Sequence, residues 1–93
     1  MLPVEWREEA RADLDSILDY ISERNEQAAD WLADEIEHAT SQLPQHPYLF
    51  RLGRVDGTRE LIVHPNYIVI YVVTRSAIEI VSIVHSRQQY PDT

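Results

Sequence analysis

Gly57-Thr58-Arg59-Glu60-Leu61-Ile62-Val63-His64-Pro65-Asn66-Tyr67-Ile68-Val69-Ile70-Tyr71-Val72-Val73 is the stretch that decides the fold. Arg59 to Val63 and the β-branched and aromatic run from Tyr67 to Val73 favour strands, and His64-Pro65-Asn66 between them is turn chemistry. Thr74-Arg75-Ser76-Ala77 supplies a second turn, and Ile78 to His85 a further strand. Tyr67–Val73 and Ile78–Val84 are nearly continuous apolar runs, which suit interior strands covered on both faces. Upstream, Gly53 and Gly57 are placed to serve turns that enter the first of these strands.

Towards the N-terminus the period changes. Prolines at 3, 44, 47, 65 and 91 leave residues 4–43 and 66–90 free of breaks. Leu2, Val4 and Trp6 alternate and read as a short first strand. Ala10, Leu14, Ile17, Leu18 and Ile21 recur at three and four, with Asp13, Asp15, Asp19 and Glu23 facing away, so a helix is expected from about Glu8 to Arg24. Asn25 is suited to cap a second helix whose stripe is Ala28, Leu32, Ile36 (or Glu35), Ala39 and Leu43, with Pro44 as its stop. So short a connection at Arg24-Asn25 implies an antiparallel helical hairpin. Gln45 to Phe50 is expected to be a loop, with Tyr48, Leu49 and Phe50 as its anchor into the core. The order is β-α-α-β-β-β: a single α+β domain over residues 1–93, a helical hairpin packed on a mainly antiparallel sheet.

Ninety-three residues support one modest core, so a permanent partner that covers further apolar surface is in keeping with the size. The absence of cysteine excludes a disulfide framework, a thiolate nucleophile and a zinc ribbon. No apolar run reaches the roughly 18 residues of a membrane helix. The first residues lack the basic start and apolar run of a signal peptide, and a cytoplasmic chain is expected. The formal charge is −8, all eight bases being arginine, which opposes nonspecific binding to nucleic acid. That charge is unevenly divided. Residues 1–43 carry 12 carboxylates against three arginines, whereas residues 44–93 carry four against five, together with His46, His64 and His85. The acids read as a solvated helix face, with a mildly basic surface reserved to the second half.

Glu35-Ile36-Glu37-His38 holds one Glu-x-x-His, but di-iron chemistry needs two such motifs and further carboxylates from facing helices. It reads as helix surface, and neither a metal nor a cofactor is expected. A Gly-rich phosphate loop and a Gly-x-Ser-x-Gly elbow are both absent. One constellation remains. RNA cleavage by 2′-hydroxyl attack needs a group that exchanges protons near neutrality and cations for the phosphate. His85 suits the first role, Arg59 and Arg87 the second, and Tyr90 is a proton donor or a base-stacking ring. The alternative is structural: His85 ends a strand at the sheet rim and the arginines pair with nearby acids.

Three segments in this order resemble the RelE/ParE toxins of bacterial type II toxin–antitoxin modules. They are the opening strand with Ala10-x-x-x-Leu14-x-x-Ile17-x-x-Tyr20-Ile21, the stretch Gly57–Val63 with Tyr67–Val73, and Ile78–Gln88 closing with Pro91. The resemblance implies a growth-inhibiting toxin silenced by a cognate antitoxin that lies across it. RelE-like members are ribosome-dependent endoribonucleases that cut mRNA without a metal; ParE-like members poison DNA gyrase. Under the RNase branch the catalytic positions are Arg59, His85, Arg87 and Tyr90. The chain departs from that branch in having no lysine and a strongly acidic hairpin, which would oppose docking among ribosomal RNA. The gyrase reading therefore stands first, the mRNA endoribonuclease second, and a non-toxic module that only binds antitoxin third.

Overall fold

The computed structural model describes residues 1–91. Strand β1 (Val4–Trp6) leads into helices α1 (Glu8–Ser22) and α2 (Glu26–Ser41) and a 3-10 turn at Leu43–Gln45. The strands β2 (Arg51–Leu52), β3 (Arg59–His64), β4 (Tyr67–Val73) and β5 (Ile78–His85) follow. All five strands form one sheet in the order β1-β5-β4-β3-β2, and only the β1–β5 pair is parallel. The class is α+β, with the helical hairpin on one face, as the sequence pattern requires. The addition is β2, a two-residue strand in the segment read as turn. It forms where Arg51 lies opposite Glu60 and their side chains pair at 2.8 Å.

Local chemistry sets the hairpin. Asn25 is extended, and its side chain accepts the Ala28 N–H at 3.1 Å, so α2 starts where its cap predicts. Helix α1 ends at Ser22, short of Arg24, because the N–H groups of Arg24 and Asn25 both turn back to the Ile21 carbonyl. Ala29, Leu32, Ile36 and Thr40 are the buried positions of α2, and the Thr40 hydroxyl donates to the Ile36 carbonyl at 2.8 Å. Leu43 is fully buried but belongs to the 3-10 turn, with Pro44 beside it. Gly57 has φ +83°, a backbone few other residues adopt, and a Cβ on Gly53 would collide with the Thr58 hydroxyl.

Loop 46–50 is held differently from the expectation. Phe50 packs on the core, but Tyr48 and Leu49 are 65% and 68% exposed. The loop is tied by its carbonyls instead. Tyr71 donates its hydroxyl to Pro47 O at 2.8 Å, and the Arg59 guanidinium donates to Phe50 O at 2.8 Å and Tyr48 O at 3.2 Å. Three polar contacts replace two apolar ones.

The main core lies between sheet and helices and includes Leu32, Ile36, Leu43, Leu61, Val69, Tyr71, Ile78, Ile80 and Ile83. The opposite face carries a second, smaller cluster of Ile68, Ile70 and Val84, covered by Val81 and Tyr90 rather than by another helical layer. The continuous apolar runs thus meet a full layer on one face only; on the other, Tyr90 of the chain's own C-terminal segment is the cover from outside the sheet among the described residues. A register shift between Ile70 and Tyr71 leaves Val81 without a partner in β4. Strand β1 reaches only Ile78–Ile80; beyond it the Ile83 N–H donates to the Asp13 carboxylate of α1 at 3.0 Å. A helix side chain therefore closes an edge that would otherwise offer an unpaired donor.

Burial pushes the Tyr71 phenol above its ordinary value, with the nearby Arg59 charge opposing the shift. A raised phenol pKa in the folded state means that the unfolded chain loses this proton first, so stability falls as pH rises above about 10. Tyr71→Phe is expected to cost about 1 kcal/mol at neutral pH through the lost bond to Pro47. That loss corresponds to roughly 4–8 °C in Tm for a domain of this size. The variant should also lose the share of the alkaline destabilisation that Tyr71 carries; thermal melts at pH 7 and above pH 10 test both.

Candidate functional site

Three strand ends meet one helix at one end of the molecule. His64 closes β3, Tyr67 opens β4 and His85 closes β5, and the pairings His64↔Tyr67 and Tyr67↔His85 make them cross-strand neighbours. Trp31 of α2 reaches the same place. The four rings form a series, Trp31–His64 at 5.8 Å, His64–Tyr67 at 5.8 Å and Tyr67–His85 at 5.4 Å, the outer two contacts edge-to-face. Tyr20 of α1 borders the row across a recess of about 410 Å³ lined by Ser16, Ile17, Tyr20, Tyr67 and His85. The Arg24 guanidinium sits 3.8 Å from the Tyr20 ring centre and donates to the Tyr20 carbonyl at 2.8 Å.

The two histidines are held alike. His64 Nδ1 accepts the Asn66 N–H at 3.0 Å, and His85 Nδ1 accepts the Arg87 N–H at 3.1 Å. In the neutral state each ring therefore carries its proton on Nε2. What this end offers is a half-exposed aromatic wall with imidazole donors in it.

Arg51, Arg54 and Arg59 are arranged elsewhere. Glu60 is almost fully buried on β3 and is the hub of a polar cluster. Its carboxylate accepts from Arg51 Nε at 2.9 Å and from the Arg54 backbone N–H at 3.1 Å, and the Arg54 Nε lies 3.7 Å away. Arg54 then reaches the C-terminal segment, donating to the Tyr90 carbonyl at 3.3 Å with its guanidinium 5.8 Å from the Tyr90 ring centre. Two of the five arginines in this half are thus held by one carboxylate, which offsets one of their two charges. Arg59 is committed to loop carbonyls.

The four residues singled out for RNA cleavage do not share a surface. Arg59 lies opposite Tyr71, which lies opposite Ile80, five residues along β5 from His85. At about 3.3 Å per residue that is roughly 16 Å along the strand. Tyr90 covers the face of the sheet away from the helices, whereas His85 belongs to the aromatic row beside α1 and α2. Only His85 and Arg87 are brought together, through the backbone bond between them, and Arg87 is exposed. His64, Tyr67, Trp31 and Tyr20 were not singled out in the sequence. A signal for two of them exists: a two-residue turn at Pro65-Asn66 makes His64 and Tyr67 direct neighbours. Among the described residues no group of three or more His, Asp or Glu is placed to hold a metal ion. In the Glu35–His38 motif, His38 is exposed and meets the Gln42 side chain at 3.0 Å.

Residues 4–90 match the family model of the ParE toxin of the type II toxin–antitoxin system parDE. The chain belongs to the ParE toxin family. Relatives carry both names of the wider superfamily. The putative toxin Y4kP of Sinorhizobium fredii is 34% identical over 89 residues, 95% of this chain and 92% of that protein. Toxin RelE2 of Caulobacter vibrioides is 36% identical over 86 residues, 92% and 97% of the two chains. Among solved structures, a chain of the chromosomal ParDE toxin–antitoxin system from P. aeruginosa superposes with a TM-score of 0.81 at 26% identity, covering 91% of this chain and 96% of that one. This ParE-family chain is therefore a type II toxin of the RelE/ParE kind by sequence and by fold. Among the described residues no helix is long and apolar enough to cross a membrane.

The Glu60 hub yields a prediction of its own. Glu60→Gln keeps the shape but removes the charge that holds Arg51 and Arg54. Because both arginines are about half exposed, water compensates part of the loss, and a cost of about 1–3 kcal/mol is expected. Urea unfolding measures the loss. Amide exchange should report freer opening at Arg54, whose N–H loses its charged acceptor.

Proposed function

We propose that this toxin arrests growth by binding a protein target, in the ParE-like manner on DNA gyrase, and that a cognate antitoxin neutralises it. The observation that carries the reading is the dispersal of the RNase set: Arg59 is spent on loop carbonyls well along the sheet from His85, Tyr90 packs on the opposite sheet face, and Glu60 holds Arg51 and Arg54. A chain of formal charge −8 is also poorly suited to a ribosomal RNA site. The match to the ParE family model and the likeness to the P. aeruginosa ParDE chain support the same branch. The membership of those relatives in toxin–antitoxin systems supports an antitoxin partner.

The second reading, a ribosome-dependent and metal-independent mRNA endoribonuclease, has one observation in its favour. His64, Tyr67 and His85 bring two imidazoles and a phenol to one recessed end, with Arg87 next to them in the chain. Those groups are of the kind proton transfer uses.

Expression of the chain alone should arrest growth, and His85→Ala and Arg87→Ala should leave that arrest intact. The purified toxin should inhibit gyrase supercoiling and leave mRNA whole in a ribosome-containing translation reaction mapped by primer extension. Codon-positioned cuts that need ribosomes and vanish in His85→Ala would replace the gyrase reading with the RNase one. Expression without arrest would leave a binding module only.

A further inference from the structure

Residues 1–43 carry 12 carboxylates, yet none of them forms an ion pair among the described residues. Asp13 is engaged by the Ile83 N–H; none of the others has a cation within ion-pair distance among the described residues. Part of it frames the aromatic end. Glu23 follows Tyr20 by three residues on the same helical side, and Asp34 and Glu35 follow Trp31 by three and four, the spacings that make neighbours on a helix surface. The rings inside that frame are open to solvent, Tyr20 by 59% and Trp31 by 53%. One guanidinium already lies on this surface, that of Arg24 over Tyr20. Aromatic faces ringed by unpaired carboxylates suit a cation whose alkyl stem or planar head packs on the rings while its charge meets the acids.

We infer that the wall of Trp31, His64, Tyr67 and His85, with Tyr20 beside it, docks an arginine- or lysine-bearing segment of the cognate antitoxin. The inference rests on the antitoxin reading above and names the surface and the chemistry of the contact. Trp and Tyr at such a centre act as anchors, and the carboxylates at its rim steer and orient the approaching segment. An occupied wall also covers His85 and the recess beside it, so neutralisation and access to this end of the toxin exclude each other.

The test uses the folded toxin and the antitoxin purified as the product of the adjacent gene, with Kd measured at low and high salt. The unaltered toxin should bind tightly and more weakly as salt rises. Trp31→Ala, at an exposed position, should raise Kd by at least 10-fold with its thermal melt unchanged. Glu23→Gln with Asp34→Asn should weaken binding at low salt and flatten the salt dependence. Leu52→Ala, at an exposed apolar position on β2, should leave Kd unchanged. Tight binding by the unaltered toxin together with unchanged Kd and salt slope in the wall and rim variants would overturn the docking surface and leave the antitoxin reading standing. No binding by the unaltered toxin would overturn both.

Discussion

Strand β5 is the constraint on which the rest of this molecule depends. It pairs antiparallel with β4 from Ile78 to His85, interrupted only at Val81, and parallel with β1 over three residues, so it joins the first and last strands in one sheet. Ile78 and Ile80 are fully buried where β1, β4 and the helices converge. The parallel pairing places the start of α1 beside β5, and α1 then runs along the strand past the point where β1 ends. Asp13 meets the Ile83 N–H on the way. Once α1 is seated, the tight connection at Asn25 brings α2 back over β3, and Trp31 arrives at His64. The aromatic end is thus a consequence of strand order rather than of any local motif.

Charge follows the same architecture. Apart from Asp13, the hairpin's carboxylates make no ion pair or strand contact among the described residues, while the sheet half uses Arg51, Arg54 and Arg59 to hold its own loops. Glu60 is the clearest case. A buried carboxylate is costly unless well bonded, and here it collects a guanidinium, a backbone N–H and a second arginine, which fixes the 51–58 segment and through Arg54 the segment that ends at Tyr90. Arginine composition alone points to a mildly basic surface on this half. Most of those side chains serve the fold, and the surplus of negative charge on the hairpin makes the chain's own electrostatics favour cationic partners.

Much of the architecture was legible before any coordinates. Period and capping chemistry located both helices, the β-branched runs located three strands, and Asn25 capped α2 as its type predicts. Where the structure adds to or departs from the sequence pattern, the causes are specific. Tyr48 and Leu49 are apolar and were read as an anchor, but carbonyl bonds from Tyr71 and Arg59 hold their loop, and hydropathy does not report backbone acceptors. The two residues of β2 are too few to leave a period, and their pairing is reinforced by an ion pair with a residue nine positions away. The grouping of His85 with Arg59 and Tyr90 rested on position near strand ends. Which end, and which face, depends on register and on the shift at Ile70–Tyr71, neither of which is visible along the chain.

The sequence by itself determined the class, the element order, the acidic hairpin, the lack of thiol chemistry and the likeness to the toxin family, because these follow from composition and from periodicities of a few residues. Tertiary structure alone decided that β1 lies parallel to β5, that the open face is covered by Tyr90, and that Glu60 absorbs two arginines. It also decided that Trp31, His64, Tyr67 and His85 form one wall from residues as far as 54 positions apart in the chain. The physical reason is the same in each case: these contacts are made between elements whose mutual placement is set by strand pairing, and strand pairing acts at sequence separations over which no local pattern carries information.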